Sequence, residues 1–159
     1  MPTARRFLAA AAVAGKVYAI GGVDDESQCD AVEAYDPLSG LWSRAASLPV
    51  ARSSHTAAVV DGKIYVVGGD IKDGEDEEVA TDRVDMYNPA TESWQPMAAM
   101  PTARDSHAAA VVDGKIYVSG GFTGSGDASD ALEAYDPGTD TWMTLASLSK
   151  ARAYHASAV

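Results

Sequence analysis

Apolar and polar positions along the chain follow one pattern that occurs three times. In each copy an apolar run, a tight turn and a second apolar run end at a pair of glycines. The copies are AAAVAGKVYAIGG from Ala10, AAVVDGKIYVVGG from Ala57 and AAVVDGKIYVSGG from Ala109. Asp-Gly between two apolar runs favours a two-residue hairpin turn, because that turn needs positive φ at both central residues. Each copy therefore predicts a β-hairpin, and the first, with Ala14-Gly15 at its turn, is the least well specified.

Two further short strands are predicted after each hairpin. A polar loop of variable length comes first, and then an alternating segment: AVEAYDP, RVDMYNP or ALEAYDP. Each segment ends at a proline, which cannot donate a hydrogen bond to a sheet. A last strand begins at Trp42, Trp94 or Trp142. Four short strands per unit, without helical periodicity, predict an all-β chain.

The units recur about every 50 residues, which is the signature of a repeat architecture. The second glycines of the pairs, Gly22, Gly69 and Gly121, are 47 and 52 positions apart. We interpret residues 1–159 as one repeat domain with units at about 2–48, 49–100 and 101–148. Residues 149–159, SKARAYHASAV, match the opening of a fourth unit.

Gly-Gly, then Tyr, then Trp seven positions later, on this period, resembles the Kelch repeat. The resemblance covers essentially the whole chain. It implies a β-propeller, in which four-stranded antiparallel blades surround a central channel. Kelch propellers are most often six-bladed, so three blades would form a half-propeller with an apolar face open at each end.

Two chains are therefore expected to close one six-bladed ring as a homodimer, since exposing two apolar faces to water is unfavourable. The tail at residues 154–159 and the partner's segment at residues 7–13 would then compete for one inner-strand position. The tail keeps the histidine of the repeat, whereas the N-terminal copy has Leu8 and lacks the Asp-Gly turn. We expect the tail to take the position and the N-terminal residues to be displaced or frayed.

Composition excludes some classes of partner. The net charge of −11 argues against a nucleic-acid or anionic-membrane surface, which needs basic residues. The single cysteine, Cys29, cannot form an internal disulfide, and this favours a reducing, cytoplasmic compartment. Arg5-Arg6 before an apolar stretch has the look of a secretory signal, but this stretch aligns without a gap to the unit that starts at Pro101. No run approaches the roughly 20 apolar residues of a membrane span.

Histidines recur at one repeat position, and a metal site is the first alternative to consider. They are His55, His107 and His155. They lack neighbouring cysteines or paired carboxylates at ligand spacing, so we predict a structural role, no metal and no cofactor.

Arginines also recur, one on each connection between units, and these are the candidate binding residues. They are Arg5, Arg52, Arg104 and Arg152. In a propeller such connections surround the mouth of the channel, on the side of the loops that follow Gly-Gly. In Kelch domains of substrate adaptors, arginines at the matching position contact acidic peptides, and a guanidinium suits that task because it binds a carboxylate through two parallel hydrogen bonds. The alternative is that these arginines pair with acidic residues of the chain itself.

Three functions are compatible with these residues. The leading hypothesis is a non-enzymatic binding module or scaffold that presents propeller loops to a protein or acidic peptide. The second is a propeller fragment, natural or engineered, whose main property is self-assembly into a ring. The third is an enzyme of the sugar-isomerase or oxidase type on a Kelch propeller. It would need polar residues that break the repeat symmetry at the channel mouth, and the breaks there, at Arg6, Phe7, Leu8 and Tyr154, include no acid–base pair.

Overall fold

The computed structural model describes residues 1–25, 27–75 and 77–157. Within these residues the chain has strands, turns and no helix, so the all-β prediction is confirmed. The strands are β1 (Ala9–Val13), β2 (Lys16–Ile20), β3 (Val32–Asp36), β4 (Leu41–Arg44), β5 (Thr56–Val60), β6 (Lys63–Val67), β7 (Asp70–Lys72), β8 (Glu78–Ala80), β9 (Val84–Asn88), β10 (Ser93–Met97), β11 (Ala108–Val112), β12 (Lys115–Ser119), β13 (Leu132–Asp136) and β14 (Thr141–Thr144). The last two residues, Ala158 and Val159, belong to the predicted fourth unit and lie outside the described part.

The described strands form three antiparallel sheets of four strands each. Their orders are β1-β2-β3-β4, β5-β6-β9-β10 and β11-β12-β13-β14. Each sheet thus consists of one hairpin, the alternating strand and the tryptophan strand, as the sequence predicts. The pair β7-β8 was not predicted, and it lies in the long acidic loop of the second unit.

The same turn joins the two strands of every hairpin. Asp61-Gly62 has φ of 48° and 73°, and Asp113-Gly114 has 49° and 73°. Ala14-Gly15 takes the same conformation, with φ of 51° and 74°. The flanking strands therefore hold an alanine in the left-handed region that asparagine and aspartate tolerate more readily.

Two apolar clusters lie between neighbouring sheets. The first joins Ile20, Val32 and Ala34 of the first sheet to Ile64, Val66 and Tyr87 of the second. The second joins Val67, Val84 and Met86 of the second sheet to Ile116, Val118 and Tyr135 of the third. Because the middle sheet is covered on both faces, its inner strands consist of continuous apolar runs.

The first glycine of each pair lies where the next connection crosses the sheet. A Cβ atom on Gly21 would lie 2.6 Å from the carbonyl oxygen of Arg52, and one on Gly68 would lie 2.6 Å from that of Arg104. Both glycines also have φ of 59°, which disfavours other residues. The glycine pair therefore marks the close approach of one unit to the next.

The N-terminal segment occupies the inner position of its own sheet. All five residues of β1 pair with β2, from Ala9 opposite Ile20 to Val13 opposite Lys16. The tail instead crosses the third sheet, where the backbone nitrogen of Gly121 donates to the carbonyl oxygen of Arg152. In the single chain the N-terminal residues are thus neither displaced nor frayed, and strand exchange in a dimer stays a prediction.

Candidate functional site

The connections between sheets and the loops after Gly-Gly meet on one side of the molecule. Isolated bridges join Arg6 to Val23, Ser53 to Asp70, and Asp105 to Phe122. We call this side the loop face. It comprises the connections at residues 3–8, 50–55, 102–107 and 151–155 and the loops that begin at Val23, Asp70 and Phe122.

A chain of backbone hydrogen bonds runs along the innermost part of the loop face. The nitrogen of Ser54 donates to the oxygen of Phe7, that of Ser106 to Ser54, and that of Tyr154 to Ser106, each over 2.9 Å. All four residues have positive φ, between 49° and 55°. Side chains at this position therefore point away from the connection in the same sense in every unit. The sequence marked Phe7 and Tyr154 only as breaks in the repeat symmetry at the channel mouth. It did not mark the position as a series, because serine, phenylalanine and tyrosine share no chemistry.

Three of the four recurring arginines lie inside the sheets in ion pairs. Arg5 Nη2 is 3.1 Å from Glu33 Oε2, Arg104 Nη2 is 2.5 Å from Glu133 Oε2, and Arg52 pairs with Asp85. The side chains of these three arginines are 0% exposed. The structure thus places them with their backbone on the loop face and their charge directed into the sheet.

Burial governs the electrostatics of these pairs. It lowers the pKa of Arg52 and of Arg104, while the carboxylates of Asp85 and Glu133 act in the opposite direction. Arg83 also donates to Asp85, over 2.7 Å. A buried charge needs such a partner. Each of these three guanidinium groups is therefore bonded to a carboxylate of the chain itself.

The fourth arginine, Arg152, has an exposed side chain. In the other three units the matching acid lies in the third strand of the same unit, and residues 149–159 comprise only the opening of the fourth. Ligand contact by the four arginines stays a prediction, and the geometry leaves only Arg152 accessible for it. The pairing had a signal in the sequence, because Glu33, Asp85 and Glu133 recur at one position of the third strand, with an apolar residue on each side.

The largest cavity described on the loop face has a volume of about 370 Å³. Three acidic side chains, Asp70, Glu78 and Asp105, line it together with the rings of Phe122 and Tyr154. The two rings meet edge to face, with centroids 5.4 Å apart. Burial, and then the charge of Asp105, raise the pKa of Asp70 to about 6. The cavity therefore combines negative charge with aromatic surface.

Comparison with known families decides the identity. Residues 47–159 match the family described as the KLHDC2/KLHL20/DRC7 Kelch-repeats domain, and residues 4–49 match the Kelch motif. The chain belongs to the Kelch-repeat family. The resemblance inferred from the glycine, tyrosine and tryptophan spacing is confirmed.

Similar proteins include Kelch-like protein 24 of Rattus norvegicus, which is 45% identical over 113 residues, 71% of this chain and 18% of that protein. Kelch-like ECH-associated protein 1B of Danio rerio is 35% identical over 108 residues, 68% of this chain and 18% of that protein. The chain thus spans less than a fifth of the length of these relatives. The solved structure titled "Structure of YjhT" matches with a TM-score of 0.84 and 22% identity, over 94% of this chain and 53% of that one.

The recurring histidines of this Kelch chain join neighbouring units. His55 Nε2 lies 3.1 Å from the oxygen of Ile20, and His107 Nε2 lies 3.0 Å from Thr56 Oγ1. Burial, followed by the charge of the adjacent arginine, lowers the pKa of both to about 3. Among the described residues, no group of three or more histidine, cysteine or acidic side chains could hold a metal ion.

Across residues 1–25, 27–75 and 77–157 the structure contains no helix long and apolar enough to cross a membrane.

Proposed function

We propose that the chain is a non-enzymatic protein-interaction module and that the loop face is its binding surface. Its support is the Kelch family itself, whose relatives here are Kelch-like proteins of several vertebrates. A second support is the loop face, where a sizeable cavity opens among loops that differ between units while the sheets below repeat. Binding residues commonly lie on loops that a rigid scaffold positions.

The ligand that we propose is an acidic peptide, bound by Arg152. This side chain is exposed on the loop face, whereas Arg5, Arg52 and Arg104 are paired in the sheets. The rival form has a basic peptide in the acidic and aromatic cavity beside Tyr154. The two forms differ in the sign of the ligand charge, so they can be separated.

The experiment measures fluorescence anisotropy of two labelled peptides of equal length, one rich in glutamate and one rich in lysine. We expect the acidic peptide to bind, and we expect both added salt and Arg152→Ala to weaken it. Lys16→Ala is the matched control, because Lys16 is exposed beside the turn between β1 and β2, at the opposite end of these strands from the loop face. Binding of the basic peptide alone would reject the acidic form, and no binding of either peptide would count against a peptide-binding loop face.

We further propose that the three sheets are the blades of a half-propeller, with units at residues 2–48, 49–100 and 101–148. A chain of these 159 residues would reach six blades as a homodimer around a two-fold axis along the channel. The support is the match to 53% of a longer solved chain, whose remaining part is about as long as one more copy. The location proposed for this module is the cytoplasm, since its one cysteine is unpaired.

Ring closure brings the tail of one chain and the N-terminal segment of the other to one position. Of the two, the N-terminal segment is better held in the single chain. It has five strand pairs in β1, and Arg5 and Thr3 both bind Glu33. The described tail residues form no strand. A tail that entered the partner's sheet would therefore have to displace β1. If β1 keeps the position and the tail stays outside the sheet, the ring has the same number of strands.

A further inference from the structure

A second cavity opens on the outer face of the third blade, away from the loop face. It has a volume of about 160 Å³ and is lined by Tyr117, Ala134 and Leu145, among others. Met143 at its rim is 61% exposed. Lys115 and Asp136, which form an ion pair over 2.9 Å, and Thr141 line the rest of the cavity. The cavity therefore suits a side chain that combines a large apolar surface with a polar group, as an indole does.

The corresponding places on the first and second blades are filled by a tryptophan from the following blade. Trp94 packs against the cluster that contains Tyr18 and Ala34, and Trp142 packs against the cluster that contains Tyr65. Each indole N–H donates to a backbone oxygen of the preceding blade, Trp94 to Ala46 and Trp142 to Ala98, over 2.9 Å in both cases. The repeat thus uses one docking arrangement at both internal junctions.

The two ends of the chain carry the unmatched halves of this arrangement. Trp42 occupies the tryptophan position of the first blade, and no described blade precedes it. The matching acceptor in the third blade is the carbonyl oxygen of Ala146, four positions after its tryptophan, as Ala46 and Ala98 are.

A tyrosine pair repeats in the same way. Tyr18 meets Tyr87 with centroids 5.8 Å apart, and Tyr65 meets Tyr135 at 6.0 Å. The next pair in this series combines Tyr117 of the third blade with Tyr35 of the first. The two series of contacts therefore end at the same two faces.

Exposure of equivalent residues shows that these faces are the open ones. Val13 and Val60 are 8% and 4% exposed, whereas Val112 on the third blade is 39% exposed. Ile64 and Ile116 are 0% exposed, whereas Val17 on the first blade is 37% exposed. Residues that are buried at every internal junction are thus accessible to water only on these two faces.

We propose that the cavity of the third blade binds the Trp42 side chain of a second copy of this chain. The Trp42 indole N–H of the second copy donates to the Ala146 oxygen of the first, and Tyr35 of the second copy packs on Tyr117 of the first. This inference rests on the ring closure proposed above and names the contact that carries it. A second copy fits because its first blade supplies the indole N–H of Trp42 and the rings of Trp42 and Tyr35. These groups have the same spacing as those that fill the two internal junctions. A large aromatic side chain in a preformed pocket is also the usual anchor of a protein interface.

The test compares Trp42→Phe with Trp94→Phe in the full chain by sedimentation equilibrium. Trp42→Phe removes two hydrogen bonds per dimer, each worth about a factor of five, so we expect the dimer dissociation constant to rise about 25-fold. Trp94→Phe removes the same bond inside each chain. It should lower the melting temperature and leave the dimer dissociation constant within about threefold of wild type. Leu145→Glu, which places a carboxylate in the cavity, should also weaken the dimer.

The outcomes separate this contact from ring closure itself. A wild-type dimer whose dissociation constant is unchanged by Trp42→Phe and by Leu145→Glu would overturn the contact while ring closure stood. A wild-type chain that stays monomeric at high micromolar concentration would overturn both. Because Trp42 lies at an open face, its substitution should leave the melting temperature of the monomer unchanged, and this measurement shows that the variant is folded.

Discussion

Two histidines in this chain are held neutral by their surroundings. The pKa of His55 and of His107 in the folded chain is lowered to about 3, mainly by burial and then by the neighbouring arginine. In the unfolded chain both return to about 6.5. Between these values the unfolded state binds more protons, so the free energy of unfolding falls as the pH falls below about 6.5.

We predict a loss of up to about 1.4 kcal/mol per pH unit for each histidine in that window. Asp70 acts in the opposite direction below pH 6, because its pKa is raised to about 6 and its protonation favours the folded state. Urea unfolding at pH 7, 6 and 5 measures the net effect. His55→Gln should remove part of the slope, and a stability that does not change between pH 7 and 5 would contradict the assignment.

At the scale of single residues, the sequence predicted which residues have structural roles. It did not predict which partners the charged side chains bind. The tyrosines, tryptophans and glycines recur because each fills one place between neighbouring sheets. Three of the four arginines form a buried ion pair within their own unit, and the carboxylate partner lies about 30 positions further along the chain. The spacing of a single repeat does not reveal such a contact, whereas the matching acid in the third strand of every unit does.

Within a sheet, the buried ion pair is the element with the largest expected effect on stability. Arg104→Ala would leave Glu133, 1% exposed, with only the Thr102 hydroxyl among its described side-chain partners. We expect a loss of about 3–5 kcal/mol in the free energy of unfolding, as for other buried charges that lose their partner. Chemical denaturation measures it.

Arg152→Ala is the matched control for this prediction. Its side chain occupies the same repeat position but is exposed, so the expected change is within about 0.5 kcal/mol. The double variant Arg104→Met with Glu133→Leu should recover most of the loss, because apolar residues of similar size do not leave a buried charge. Equal effects of Arg104→Ala and Arg152→Ala would show that the pair contributes little.

At the scale of whole strands, the apolar runs around each turn and the alternating segment after them predicted four strands per unit, and the Kelch resemblance implied that these four form one sheet. The β7-β8 hairpin was not predicted because its segment is strongly acidic, and its apolar residues Ile71 and Val79 are named in neither of the two apolar clusters. The pairing of Ser53 with Asp70 beside it depends on the neighbouring connection, which local sequence does not report.

For the whole molecule, the proposed ring closure would make stability depend on protein concentration. If two chains share the junctions between the first and third blades, dissociation accompanies unfolding, and the melting temperature rises with concentration. Calorimetry at about 2 and 200 µM should show a rise of several degrees for wild type and a smaller one for Trp42→Phe. A melting temperature that is independent of concentration would indicate that the open faces stay unpaired.

The repeat count was readable from the sequence, but what covers the two end faces was not. A pattern of apolar residues shows that a face is buried in a typical unit. It does not distinguish an internal unit from one at the end, because both carry the same residues. Only the comparison of Val17 and Val112 with their buried equivalents shows where the contacts stop.

The tail crosses the third sheet in the same way that each internal connection crosses the sheet before it, with Arg152 bonded to Gly121 as Arg52 is to Gly22. Residues 149–159 therefore stand in the register of residues 2–12 of the next unit. In genetic terms, a tandem duplication that joined residue 148 to residue 2 would preserve every contact between units and remove the redundant segment. A chain of six such repeats and the proposed pair of three-repeat chains would then form the same ring, and the peptide bond between the halves would record ancestry without adding a contact between blades.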